Sequence, residues 1–112
     1  QASPQSTKIN VMRGDIVSDG FLKGKATWVI TGQESYRLYV TEADDYQKVY
    51  FESGYVNDNR NPLVVSITGL PCNKDLRTVT EFYTKPNGEG ERVVMESRQL
   101  TKLSCDDTTK KP

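Results

Sequence analysis

The stretch Leu76-Arg77-Thr78-Val79-Thr80-Glu81-Phe82-Tyr83-Thr84-Lys85-Pro86-Asn87-Gly88-Glu89-Gly90-Glu91-Arg92-Val93-Val94-Met95-Glu96-Ser97 decides the fold. Leu76 to Thr84 is rich in threonine, valine and aromatic residues, which suit a pleated, half-buried surface. Asn87-Gly88-Glu89-Gly90 is turn chemistry, and Arg92 to Leu100 resumes the strand pattern, so the segment predicts a β-hairpin. Directly opposed residues of an antiparallel hairpin have a constant sum of residue numbers. A centre between Gly88 and Glu89 makes that sum 177, and Cys72 and Cys105 share it. The two cysteines are therefore expected to face each other near the base of the hairpin, within disulfide range. A bridge there would close a loop of about 34 residues and contribute roughly 3–4 kcal/mol. The same register sets Phe82 opposite Met95, Thr80 opposite Ser97 and Thr78 opposite Gln99, a polar row for a face turned to a core.

Upstream the period stays at two. Leu22, Ala26, Trp28 and Ile30 alternate with Lys23, Lys25, Thr27 and Val29, as do Tyr36, Leu38 and Val40 with Arg37, Tyr39 and Thr41, then Val49 and Phe51 with Lys48 and Tyr50. Leu63 to Ile67 is a β-branched run bounded by Asn61-Pro62 and Gly69-Leu70-Pro71, and Ile9 to Met12 is a weaker opening strand. Ser18-Asp19-Gly20, Thr31-Gly32-Gln33 and Asp58-Asn59-Arg60-Asn61-Pro62 punctuate these runs. No window predicts an amphipathic helix. Seven short strands imply an all-β fold, a seven-stranded antiparallel β-sandwich or, alternatively, a small β-barrel. The polar ends, residues 1–7 and 106–112, are expected to be flexible tails around one domain at 8–105.

Composition narrows the function. Fifteen Lys and Arg balance fifteen Asp and Glu, so the basic excess that nucleic acid demands is lacking. There is no histidine, which removes imidazole bases and most zinc sites. With both cysteines committed, nucleophilic catalysis has no base to draw on, and the expectation is a non-enzyme without cofactor or metal. No apolar run approaches the roughly 20 residues that span a bilayer. An even cysteine count in a short chain, and an opening Gln1-Ala2-Ser3-Pro4 without a leader, predict a secreted protein or one module of a longer ectodomain.

These residues resemble a fibronectin type III domain over about residues 8 to 103. The carriers are Ala26-Thr27-Trp28, Tyr36-Arg37-Leu38-Tyr39-Val40, Ile67-Thr68-Gly69-Leu70-Pro71 with Leu76 to Phe82 after it, and Asn87-Gly88-Glu89-Gly90-Glu91. The chain departs from the family in placing Pro71 directly after the leucine, Leu76 where a corner tyrosine usually stands, and Thr78 and Thr80 at usually apolar positions. A Cys72–Cys105 bridge is expected to anchor the strand in place of that tyrosine. The resemblance implies that the third, fourth, sixth and seventh predicted strands share one sheet.

By parity that sheet would turn one face outward: Arg37 and Tyr39; Tyr46, Lys48 and Tyr50; Arg77, Val79, Glu81 and Tyr83; Val94, Glu96 and Arg98. Tyrosine and arginine are favoured at binding hot spots. The expected activity is therefore recognition of another extracellular protein or receptor, or cell adhesion, by a monomeric domain. The candidate residues are Arg37, Tyr39, Tyr50, Arg77, Tyr83 and Arg98, with Asn87 and Gly88 in the turn. Three rival readings remain open. Arg13-Gly14-Asp15 matches an integrin-binding tripeptide, which would need an exposed, bent loop. A barrel could carry a small ligand among Thr78, Thr80 and Ser97. The 85–91 loop could serve a secreted inhibitor or immune modulator. The acidic run Glu42-Ala43-Asp44-Asp45 has no complete calcium-loop spacing and reads as a solvated turn.

Overall fold

A computed structural model describes residues 8–106, so the tail expected at 1–7, and all but Asp106 of the tail expected at 106–112, lie outside the described residues. The strands are β1 Asn10–Ser18, β2 Gly24–Thr31, β3 Ser35–Glu42, β4 Asp45–Glu52, β5 Val56–Asn57, β6 Leu63–Ile67, β7 Leu76–Lys85 and β8 Glu89–Ser97. That makes eight strands among the described residues rather than seven. The added one, β5, is two residues long, too short to leave an alternation in the sequence. β1-β2-β6 form one antiparallel sheet and β4-β3-β7-β8 the other, with β5 pairing β3. The expected third, fourth, sixth and seventh strands do share a sheet. Among the described residues neither sheet closes on itself, so the barrel alternative is replaced by an open sandwich.

Alternation builds the core. On β2 and β6 every second residue is buried, and Ala26, Trp28, Ile30, Leu63, Val65 and Ile67 form one inner face. Tyr36, Leu38, Val40, Leu76, Phe82 and Val93 form the other. Across the interface Trp28 of β2 meets Phe82 of β7 edge-to-face, with ring centroids 5.2 Å apart. Thr78 and Thr80 are buried with this core, and their hydroxyls have no hydrogen-bond partner among the described residues. β2 starts at Gly24 and not at Leu22, because Leu22 takes a left-handed backbone (φ 54°) in the preceding turn.

The hairpin forms, but its register differs from the expectation. Phe82 pairs with Val93, Thr80 with Met95 and Thr78 with Ser97. Pro86, which cannot donate to a ladder, opens a 3-10 turn Pro86–Gly88 in which Asn87 takes a left-handed conformation (φ 62°). This shifts the centre of the hairpin toward its first strand. The Cys72–Cys105 bridge is present, with Cα atoms 4.9 Å apart. Both cysteines lie outside the strands, in the segments before β7 and after β8. Those segments are also tied by backbone bonds, Asn73 N–H to Leu103 O at 2.7 Å and Lys102 N–H to Lys74 O at 2.6 Å.

The opening strand is longer than the expected Ile9 to Met12 and absorbs Arg13-Gly14-Asp15. The tripeptide is ladder-paired to Val29, Trp28 and Thr27, not set on a loop. A bulge between Val11 and Arg13 breaks the alternation that would have marked this strand. Gly14 is required where the Trp28 ring crosses β1: a Cβ there would lie 2.2 Å from the indole.

Candidate functional site

The outer face of the five-stranded sheet carries a network of tyrosine, arginine and glutamate. Register puts Arg37 of β3 beside Glu81 of β7, Tyr39 beside Val79 and Ser35 beside Tyr83. β8 adds Arg92 beside Tyr83 and Glu96 beside Val79, and β4 adds Glu52 beside Tyr39. The side chains close over the strand between them, so Val79, Glu81 and Tyr83 are buried although they point away from the core.

Glu81 is the hub. Its carboxylate is only 7% exposed and is held by Arg37 at 3.5 Å, by Arg92 at 3.8 Å, and by the Tyr83 hydroxyl, which donates at 2.7 Å. A carboxylate so withdrawn from water is tolerated because it is paired and hydrogen-bonded. Arg37 also forks onto Glu52 through Nε and Nη2, both at 2.8 Å. That bond lowers the Glu52 carboxyl below its ordinary value and raises the Arg37 guanidinium. The guanidinium lies over the Tyr39 ring at 4.3 Å and reaches Tyr55 at 6.0 Å. Tyr55 in turn packs edge-to-face on Tyr83, with centroids 5.7 Å apart.

A second cluster adjoins it. Arg77 pairs with Glu96 at 2.8 Å, donates to the Ala43 carbonyl at 3.4 Å and lies over Tyr46 at 5.1 Å. The Tyr46 hydroxyl donates to the same Glu96 at 3.0 Å. Arg98 stands one residue past β8, exposed and close enough to Tyr46 to act on its phenol electrostatically.

Of the sequence candidates, the fold brings together Arg37, Tyr39, Arg77 and Tyr83, with Arg98 at the rim. Tyr50 belongs elsewhere. A bulge where β4 meets Val40 and Thr41 turns its ring against the core, and its hydroxyl donates to Glu42 at 2.6 Å. Asn87 and Gly88 are clamped: the Asn87 N–H donates to Asn57 Oδ1 at 2.8 Å and the Gly88 N–H to Ser35 Oγ at 2.9 Å. Tyr55 rests on Gly88, where a Cβ would lie 2.4 Å from the ring. Arg13 and Asp15 project from the opposite sheet, lining a shallow groove with Lys25 and Thr27, and Asp15 accepts from Gln99 Nε2 at 3.4 Å. Tyr55, Glu52 and Arg92 were not among the sequence candidates. Parity would have found Arg92, two residues before Val94. Tyr55 lies between β4 and β5, where no alternation exists to read.

The network has a pH signature. Burial, then the bond to Glu81, raises the Tyr83 phenol above its ordinary value near 10, and burial likewise raises Tyr39. A raised folded value means that the native state keeps a proton the unfolded chain gives up. The stabilisation is therefore whole below pH about 10 and falls as pH climbs beyond it. Urea unfolding at pH 7, 10 and 11 should show stability dropping over the last interval, with a shallower drop in Tyr83→Phe. Equal slopes in the two proteins would contradict this role for Tyr83.

Compared with known protein families, curated proteins and solved structures, the chain has no match.

Proposed function

We propose that this chain is an extracellular, non-catalytic recognition module of the fibronectin type III kind, which binds a protein partner through the outer face of its five-stranded sheet. The observation that carries the reading is the pre-ordered Arg37–Tyr39–Tyr55–Tyr83 stack around Glu81. Rings and guanidinia already held by neighbours lose little conformational freedom on binding, which is what makes tyrosine and arginine effective anchors. Tyr46, Tyr55 and Arg92 offer the accessible part, since about half of each remains in solvent. The disulfide and the order of the strands support an extracellular domain of this kind.

The ion-paired groups of this face balance, with Arg37, Arg77 and Arg92 against Glu52, Glu81 and Glu96, and Arg98 at the rim adds one positive charge. Binding should then depend on fit more than on long-range attraction and should change little with salt. The Arg-Gly-Asp tripeptide, paired along a strand, takes no part in this reading.

The test is a screen of displayed extracellular proteins against the wild-type domain, repeated with Tyr46→Ala/Tyr55→Ala. Both side chains are exposed, so the fold should survive. Affinity for a captured partner should fall by roughly 100-fold, the combined loss of two anchors. Arg13→Ala on the opposite sheet is the control. Unchanged capture by the tyrosine variant, or loss confined to the Arg13 variant, would move the site away from this face.

A further inference from the structure

Among the described residues, and setting aside the two-residue β5 that pairs β3 beside β4, four strands end the two sheets as edges: β1 and β6 in one, β4 and β8 in the other. An edge exposes unpaired backbone groups and accepts another strand unless charge, irregularity or a covering side chain prevents it. Three of the four are defended. β1 carries Arg13, Asp15 and a bulge, and its outward Ile16 N–H already donates to Gln99 Oε1 at 3.1 Å. β4 carries Asp45, Lys48 and Glu52 and two register shifts. β8 carries Glu89, Glu91, Arg92 and Glu96. β6, Leu63-Val64-Val65-Ser66-Ile67, has no charge and a regular register against β2, with Val64 and Ser66 exposed.

Ladder alternation identifies which β6 groups are open. Ile16 directs its N–H away from β2, so its cross-strand partner Ala26 bonds toward β6, where Val65 faces it. The Ile30 N–H, which donates to Asn61 Oδ1, follows the same parity. Leu63, Val65 and Ile67 thus spend their backbone groups on β2. Val64 and Ser66 present theirs to the free edge.

We propose that a second copy of this chain pairs at this edge, β6 against β6, antiparallel about a two-fold axis through Val65. In that register Val64 of one copy lies opposite Ser66 of the other. Both residues carry outward groups, so each such couple exchanges two N–H···O bonds and the axis doubles the set. Centring on Val64 instead would set Ser66 against Pro62, which has no N–H. This self-match selects a second copy as the occupant, because a two-fold interface needs one surface complementary to itself. No charge on β6 opposes another, and the chain's formal net charge is zero. The strip is far narrower than a stable interface, so the monomer expected from the sequence gives way only at high concentration, with a dissociation constant on the order of 10⁻⁴ to 10⁻³ M.

The test compares wild type with Val64→Lys/Ser66→Lys by sedimentation velocity from about 10 µM to about 1 mM, the range a small contact is read in. Backbone amide exchange at Val64 and Ser66 is followed in parallel. Both substituted side chains face solvent, so the variant should melt with the wild type at low concentration; Ser66→Lys alone is the milder substitute. The wild-type sedimentation coefficient should rise with concentration while exchange at Val64 and Ser66 slows several-fold, and the lysine variant should show neither. Monomer at every concentration, or association that survives the lysines, would overturn the pairing. Tyr46→Ala/Tyr55→Ala should associate as the wild type does, which separates this edge from the sheet face.

Discussion

Truncating Phe82 to alanine should destabilise the domain by about 3–5 kcal/mol, the usual cost of emptying a fully enclosed aromatic site. Phe82 is 0% exposed. Its ring is the contact that the five-stranded sheet offers to Trp28 of the other sheet. Tyr36, directly opposite on β3, and Val93 on β8 flank it in the ladder. These neighbours belong to strands fixed by backbone bonds, so the cavity cannot close without moving a sheet. Domains of this kind are stable by only about 5–15 kcal/mol, so the loss would be a large share of the total. Urea unfolding should show a lower midpoint with an unchanged slope. Phe82→Leu, which keeps most of the volume, should lose clearly less. A loss below about 1.5 kcal/mol for Phe82→Ala, the scale of a volume-conserving swap, would mean that the sheets are held together elsewhere.

Replacing both cysteines, Cys72→Ser/Cys105→Ser, should cost about 3–4 kcal/mol, because a cross-link over 33 residues of separation restricts the unfolded chain. The consequence in the folded state is local. The bridge ties the segment after β8 to the turn before β7, and that segment places Leu100 in the core and Gln99 on the β1 edge. Amides of Gln99, Leu100 and Leu103 should exchange faster in the double variant, whereas β3 and the centre of β7 should stay comparatively protected. A loss below about 1 kcal/mol, on the scale of an ordinary hydrogen bond, would show that the Asn73–Leu103 and Lys102–Lys74 bonds and the burial of Leu100 suffice to hold it.

The candidate surface was legible where strands are regular and hidden where they are not. Arg37, Tyr39, Arg77 and Tyr83 lie on β3 and β7, which pair without a shift, so counting by twos placed them correctly. The same count failed for Tyr50, because one extra residue in β4 moves a side chain to the other face of the sheet. The cysteines illustrate a correct pairing reached through an incorrect register. They meet because both lie just beyond the last ladder, not because they oppose each other within it.

By itself the sequence determined the all-β class, the inward residues of β2, β3, β6 and β7, the hairpin and the two residues of the disulfide. Each of these follows from local rules: a period of two, turn residues that accept left-handed backbone, and an even number of cysteines. Only the tertiary structure decided the hairpin register, the absorption of Arg13-Gly14-Asp15 into β1, the burial of Glu81 beneath Arg37 and Arg92, and the defence of three sheet edges but not the fourth. Those depend on which strand lies beside which and on where a bulge falls. Such relations join residues distant in the chain, and nothing within a single strand encodes them.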